Sequence, residues 1–138
     1  VLSWRILNSL EVDFCLEALE EALGKYPQPQ IFNSDQGAQF TAKAFTQRLE
    51  EKSVAISMDG RGRCHDNIFI ERLWRSLKWE LIYLKAFRDG AELRQEVKKW
   101  FHWYNRQRLH QALNYQTPDE IFYGGRGLCD IKNSTGKN

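Results

Sequence analysis

Two short apolar runs, Ile31-Phe32 and Val54-Ala55-Ile56-Ser57-Met58, are separated by one helix-length segment and preceded by another. Runs this short, bounded by turn residues and alternating with helical periodicity, read as buried strands. Helix and strand in alternation specify an α/β fold. The first helical segment carries Val12, Cys15/Leu16, Leu19 and Leu23 on one face, with Asn8 or Ser9 as its cap and Gly24 as its end. The second is expected to start at a Thr41 cap and to turn Ala44, Phe45 and Leu49 inward. The opening Val-Leu-Ser-Trp-Arg-Ile alternates like a strand already under way, and the only methionine is Met58. The expectation is therefore a chain cut inside a sheet, with its first strand missing and an edge exposed.

A chain of 138 residues, 42% of them hydrophobic and 13% aromatic, suffices for one core and excludes a disordered or collagen-like polymer. No stretch approaches the roughly 18 apolar residues of a membrane span, and the start has no export signal pattern, so neither a membrane nor export is expected. Cys15, Cys64 and Cys129 have neither C-x-x-C spacing nor an even count, so no disulfide and no zinc site is expected. The mild net charge of +2 conceals an asymmetry. Residues 1–60 carry five basic and nine acidic side chains, a balance of −4, and residues 61–138 carry fifteen and nine, a balance of +6. The basic half interleaves aromatics with its cations, most densely from Lys98 through Trp100, Phe101, Trp103 and Tyr104 to Arg106 and Arg108. That pattern suits a polyanion, although an amphipathic helix with an aromatic core would produce it as well.

A long helix is predicted from about Asn67 to Leu84. At about 100° per residue, Ile70, Leu73, Leu77, Leu81 and Leu84 share a core-facing arc. Glu71, Arg75 and Lys78 share another arc, where a carboxylate stands beside two cations on an exposed face, or where Glu71 and Arg75 simply pair. A further helix starts near Asp89 with Glu92 as a capping-box partner, and Thr117-Pro118 opens a last short one. Residues 124–138 turn to Gly, Asn, Ser and Lys and read as a disordered tail. Asp35, at the end of the first short strand, and Glu71 are hard oxygen donors of the kind divalent-metal phosphoryl chemistry requires.

Four ordered motifs add a resemblance. Asn33-Ser34-Asp35-Gln36-Gly37-Ala38-Gln39-Phe40, Asp66-Asn67-Ile68-Phe69-Ile70-Glu71 and Leu77-Lys78-Trp79-Glu80 resemble the integrase core of insertion-sequence transposases, in particular the OrfB type of the insertion-sequence three family. Trp103 through Leu113, with Thr117-Pro118, resembles the carboxy-terminal part of the same family. The resemblance implies an RNase H-like fold, a mixed sheet flanked by helices, over residues 1–123. It implies a D-D-35-E site binding Mg²⁺ or Mn²⁺, with Asp35 as the second acid and Glu71 as the third. DNA is the implied partner, as transposon ends and target, with a homo-oligomer assembling on it and a cytoplasmic, nucleoid-associated location. The implied reaction is metal-dependent strand cleavage followed by strand transfer. Arg75 and Lys78 match positions that lie against a DNA end; Gly60, Arg61, Gly62 and Arg63 match the active-site loop. With Arg106 and Arg108 these arginines complete the expected DNA-binding set. The family's first aspartate has no counterpart here, since Asp13 belongs to a helix first turn, where the dipole accounts for it. The chain alone is therefore expected to be inactive. A non-catalytic DNA-binding remnant of the same fold is the alternative, and an RNase H-type nuclease a third reading.

Overall fold

The computed structural model describes residues 1–6, 12–58 and 68–124, which group into two units, residues 2–80 and residues 81–124 with Val1. In the first unit, α1 (Val12–Lys25) precedes β1 (Ile31–Ser34), and α2 (Ala38–Thr41) and α3 (Lys43–Glu51) lead into β2 (Ala55–Met58). The strands pair in parallel, Ile31 opposite Ala55 and Ser34 opposite Met58, so α2 and α3 form the crossover that parallel pairing requires. The sequence-based α/β reading therefore stands, with a sheet of two strands among the described residues.

The unit's core is Leu19, Phe45, Leu49 and Val54, with Cys15, Leu16, Leu23, Phe32, Phe40 and Ile56 packed around it. Phe45 receives Phe32 and Phe40 edge-on, with centroids at 5.5 and 5.4 Å, geometry that aromatic quadrupoles favour. Helix α3 ends in a Schellman motif: Val54 N–H donates to the Leu49 carbonyl at 2.9 Å and Ser53 N–H to that of Glu50 at 2.8 Å. Ser53 takes the left-handed backbone, φ 56°, that this motif demands. Val54 is thereby folded against Leu49 at the entry to β2.

Several expectations are corrected. Residues 1–6 form no strand. Their alternation instead places Ser3 and Arg5 on one side, where both bond Glu21 of α1 and Arg5 also reaches Glu17 at 3.4 Å. Helix α1 runs through Gly24 to Lys25. Thr41 is not a cap: it ends α2, and its hydroxyl donates back toward the Gly37 and Ala38 carbonyls, while Ala42, at φ −59° and ψ 135°, breaks the chain before α3. Ala44 is exposed, because the single turn centred on Phe45 and Leu49 already fills the core.

The long helix is also shorter than predicted. Helix α4 spans Ile68–Glu80; Leu81, at φ −133°, leaves helical geometry, and a 3₁₀ turn follows over Ile82–Leu84. Leu73, Leu77 and Leu81 are buried as the wheel requires, but Ile70 and Leu84, at the ends of the stripe, are exposed.

In the second unit, α5 (Gly90–Arg106) buries Val97, Trp100 and Phe101. Asp89 caps it by accepting the Glu92 N–H at 2.8 Å, while the Glu92 carboxylate accepts the N–H of Arg88, one residue earlier than a capping box would have it. After a 3₁₀ turn over Gln111–Leu113, α6 (Pro118–Tyr123) has a complete capping box between Thr117 and Glu120. The predicted tail beyond Gly124 lies outside the described residues.

Candidate active site

Asp35 follows directly on β1, and its carboxylate is exposed. Ser34, buried beside it, donates its hydroxyl to the Asp35 carbonyl at 3.1 Å. The Asp35 Oδ1 atom accepts the Gly37 N–H at 2.9 Å, an Asx turn that fixes one carboxylate oxygen against the backbone. Oδ2 has no protein partner among the described residues. A Cβ on Gly37 would stand 2.9 Å from Oδ1, so the absence of a side chain there is what lets the carboxylate lie flat on the turn.

Glu71 lies in the first turn of α4, where the helix dipole favours a carboxylate. Arg75 and Lys78 follow on the same exposed face. Neither ion-pairs with Glu71, so the surface pair weighed against a functional face does not form among the described residues. Together with Trp74 and Trp79 they line an open depression of about 400 Å³. Among the described residues its lining comes from α4 alone, and Asp35 is not part of it. Spacing did not single out the two tryptophans, which stand 45% and 66% exposed. Their offsets of three residues from Glu71 and four from Arg75 were the available signal.

The remaining basic candidates separate. Gly60, Arg61, Gly62 and Arg63 lie outside the described residues. Arg106, in the last turn of α5, pairs with Asp119 at 3.4 Å. Arg108 lies over the Tyr104 ring, 5.6 Å from its centroid, with Nη1 3.3 Å from His110 Nδ1. His110 in turn packs edge-on against Tyr104 at 4.7 Å, and Trp103 tilts against Trp100 at 6.4 Å, so both ring residues are part of the unit's packing. Cys15 is half-buried against the core, and burial pushes its thiol up from the ordinary range.

As donors, Asp35 and Glu71 suit a hard divalent cation, which takes carboxylate oxygens and retains water. No group of three or more His, Cys, Asp or Glu side chains that could hold a metal ion stands together among the described residues. No described helix is long and apolar enough to cross a membrane.

Two family models, both described as integrase core domain, match the chain, one over residues 1–64 and the other over residues 52–118. The transposase for insertion sequence element IS629 of Shigella sonnei is 34% identical over 135 residues, 95% of this chain and 46% of that protein. The transposase for insertion sequence element IS904 of Lactococcus lactis subsp. lactis is 31% identical over 124 residues, 88% of this chain and 49% of that protein. The chain spans about half the length of the curated relatives it matches.

Proposed function

The chain belongs to the integrase-core family of insertion-sequence transposases, and on that premise we propose that it serves DNA transposition as most of an RNase H-like catalytic core, residues 1–123. The observation that carries the reading is the exposed α4 face, where Glu71 stands with Arg75 and Lys78 in a depression that holds no other acid among the described residues. In the complete protein, Asp35 and Glu71 would hold Mg²⁺ or Mn²⁺. The chemistry such an ion would supply there is activation of a water or 3′-hydroxyl and neutralisation of phosphodiester charge. Asp35 is oriented for this by the Gly37 N–H, which leaves Oδ2 as the outward donor. Arg75 and Lys78 bind phosphates on either side of Glu71, and Arg61 and Arg63, which lie outside the described residues, are assigned to the same DNA contact. Arg106 and Arg108 are engaged within their own unit, by Asp119 and by Tyr104, and contribute less to DNA binding.

Two carboxylates without a third bind a divalent ion weakly, so this chain by itself is a DNA binder that does not complete strand transfer. In a Mg²⁺-dependent assay on duplex transposon ends, the 138-residue chain binds without turnover; strand transfer by it would overturn this reading. Replacing Arg75 and Lys78 together by Ala lowers the slope of log affinity against log salt by about 2, one counterion per lost phosphate contact. An unchanged slope would remove them from the DNA contact. Introduced into the complete transposase, Asp35→Asn and Glu71→Gln each abolish strand transfer while DNA binding persists.

A further inference from the structure

The space above the Gly37 Cα is bounded by two side-chain oxygens. A Cβ placed there would stand 2.9 Å from Asp35 Oδ1, 3.2 Å from Gln39 Oε1 and 3.4 Å from Phe40 Cδ2. Backbone and core together fix this arrangement. The Phe40 and Thr41 N–H groups both donate to the Gly37 carbonyl, at 3.0 and 3.1 Å, and so fold α2 back over the glycine. Phe40, the next residue after Gln39, meets Phe45 edge-on at 5.4 Å and packs against the core. The turn that carries Gln39 therefore cannot swing away without unseating a ring.

Gln39 is half-buried, yet its amide makes no hydrogen bond among the described residues. Gln47, by contrast, spends its amide on the Glu51 carboxylate at 3.2 Å. Withdrawing an amide from water without giving it a partner costs free energy. Asp35 Oδ1 keeps acceptor capacity after taking the Gly37 N–H, and Gln39 Oε1 has all of its own. Two acceptor oxygens around one small space are reconciled by a cation, or by the water a cation holds. Carboxylate, amide carbonyl and water are the donors that Mg²⁺ and Mn²⁺ accept. A neutral oxygen also adds coordination without adding negative charge where an anionic phosphodiester must approach. Resting on the metal reading of Asp35 above, we propose that Gln39 belongs to the same site: its Oε1 supplies a neutral oxygen to the divalent ion that Asp35 holds, directly or through one of the ion's waters.

The test follows Mn²⁺ binding to the full chain through the electron-spin signal of the free ion. Gln39→Leu keeps the bulk over Gly37 and removes the oxygen; it lowers affinity roughly tenfold, the lower end of what residues supporting a metal ligand contribute. Gln39→Glu substitutes a charged oxygen and binds Mn²⁺ more tightly than the unaltered chain. Gln36→Glu places the same charge on the exposed residue next to Asp35 and gains less, which separates a donor at position 39 from charge alone. A merely structural role for Gln39 would lower the stability of the Leu variant to urea and leave its Mn²⁺ binding unchanged. If the Leu variant loses its helix content by circular dichroism, the two Glu variants decide. Undiminished binding by folded Gln39→Leu, or a gain in Gln36→Glu equal to that in Gln39→Glu, overturns the inference; the metal reading stands as long as Asp35→Asn loses binding. Unchanged Mn²⁺ binding in Asp35→Asn removes Asp35 as a ligand and overturns both.

Discussion

Asp35 shows how one residue's usefulness depends on its neighbour two positions on. Its Oδ1 is occupied by the Gly37 N–H at 2.9 Å, and a Cβ at Gly37 would sit at that same distance from the same oxygen. Gly37 has φ −58° and ψ 146°, a backbone any residue adopts, so glycine is needed there for space and not for conformation. Gly37→Ala therefore alters global stability by less than about 1 kcal/mol. It nevertheless rotates the Asp35 carboxylate off the turn. Mn²⁺ binding, followed by the electron-spin signal of the free ion, weakens in Gly37→Ala toward the level of Asp35→Asn. Unchanged Mn²⁺ binding would show that the turn does not orient the carboxylate. The position of Asp35 was legible from sequence, because a short apolar run followed by a polar turn marks a strand end. The constraint at Gly37 was not, because composition carries no record of which atom a missing side chain would strike.

At the scale of elements, caps were legible where their partners are local and lost where a distant contact decides. Thr117-Pro118 specified α6 correctly: Thr117 Oγ1 accepts the Glu120 N–H at 3.2 Å, and Glu120 Oε2 accepts the Thr117 N–H at 2.7 Å. The Thr117 backbone bond and then its hydroxyl hold the Glu120 carboxyl below its ordinary value. A helix of six residues has little propagation to offset its nucleation, so the box matters more here than in a long helix. Thr117→Ala costs about 1 kcal/mol, and Thr117→Ser recovers most of it, as read from urea denaturation. A negligible loss in the Ala variant would show that packing of the buried Thr117 site, and not the box, sets the helix start. Thr41 looked equally good as a cap in sequence. The break at Ala42 that denies it this role follows from seating Phe45 and Leu49 against α1, a contact made across the unit. The opening alternation was real for the same reason, but Glu21, not a neighbouring strand, supplies its partner.

Across the whole molecule, the charge asymmetry seen in sequence separates into two uses. Much of the acidic first half is consumed in pairs that fasten its own unit, Glu17 and Glu21 to Arg5, Glu21 to Lys25, and Glu20 and Glu51 to Arg48, while Arg72, Arg75 and Lys78 of α4 make no ion pair among the described residues. Among the described residues each unit also contains a carboxylate clamped by two cations. Glu21 is held down to about 2 by Lys25 and then Arg5, and Glu96 to about 2 by Lys85 and then Lys99. A carboxyl whose folded pKa lies below its unfolded value, about 4.3 for Glu, contributes stability that is fully present above that unfolded value. The contribution is lost as pH falls from there toward 2, because the unfolded chain takes up the proton first. Stability measured by urea denaturation at a series of pH values should thus decline through this window. Glu21→Gln and Glu96→Gln should be less stable than the unaltered chain at neutral pH, with the difference closing as pH approaches about 2. The two clamps lie in separate units, so the double variant should show the sum of the single losses. A deficit that stays constant across the acid range would mean that these glutamates act through packing and not through charge, and would remove the clamps as the source of the acid sensitivity.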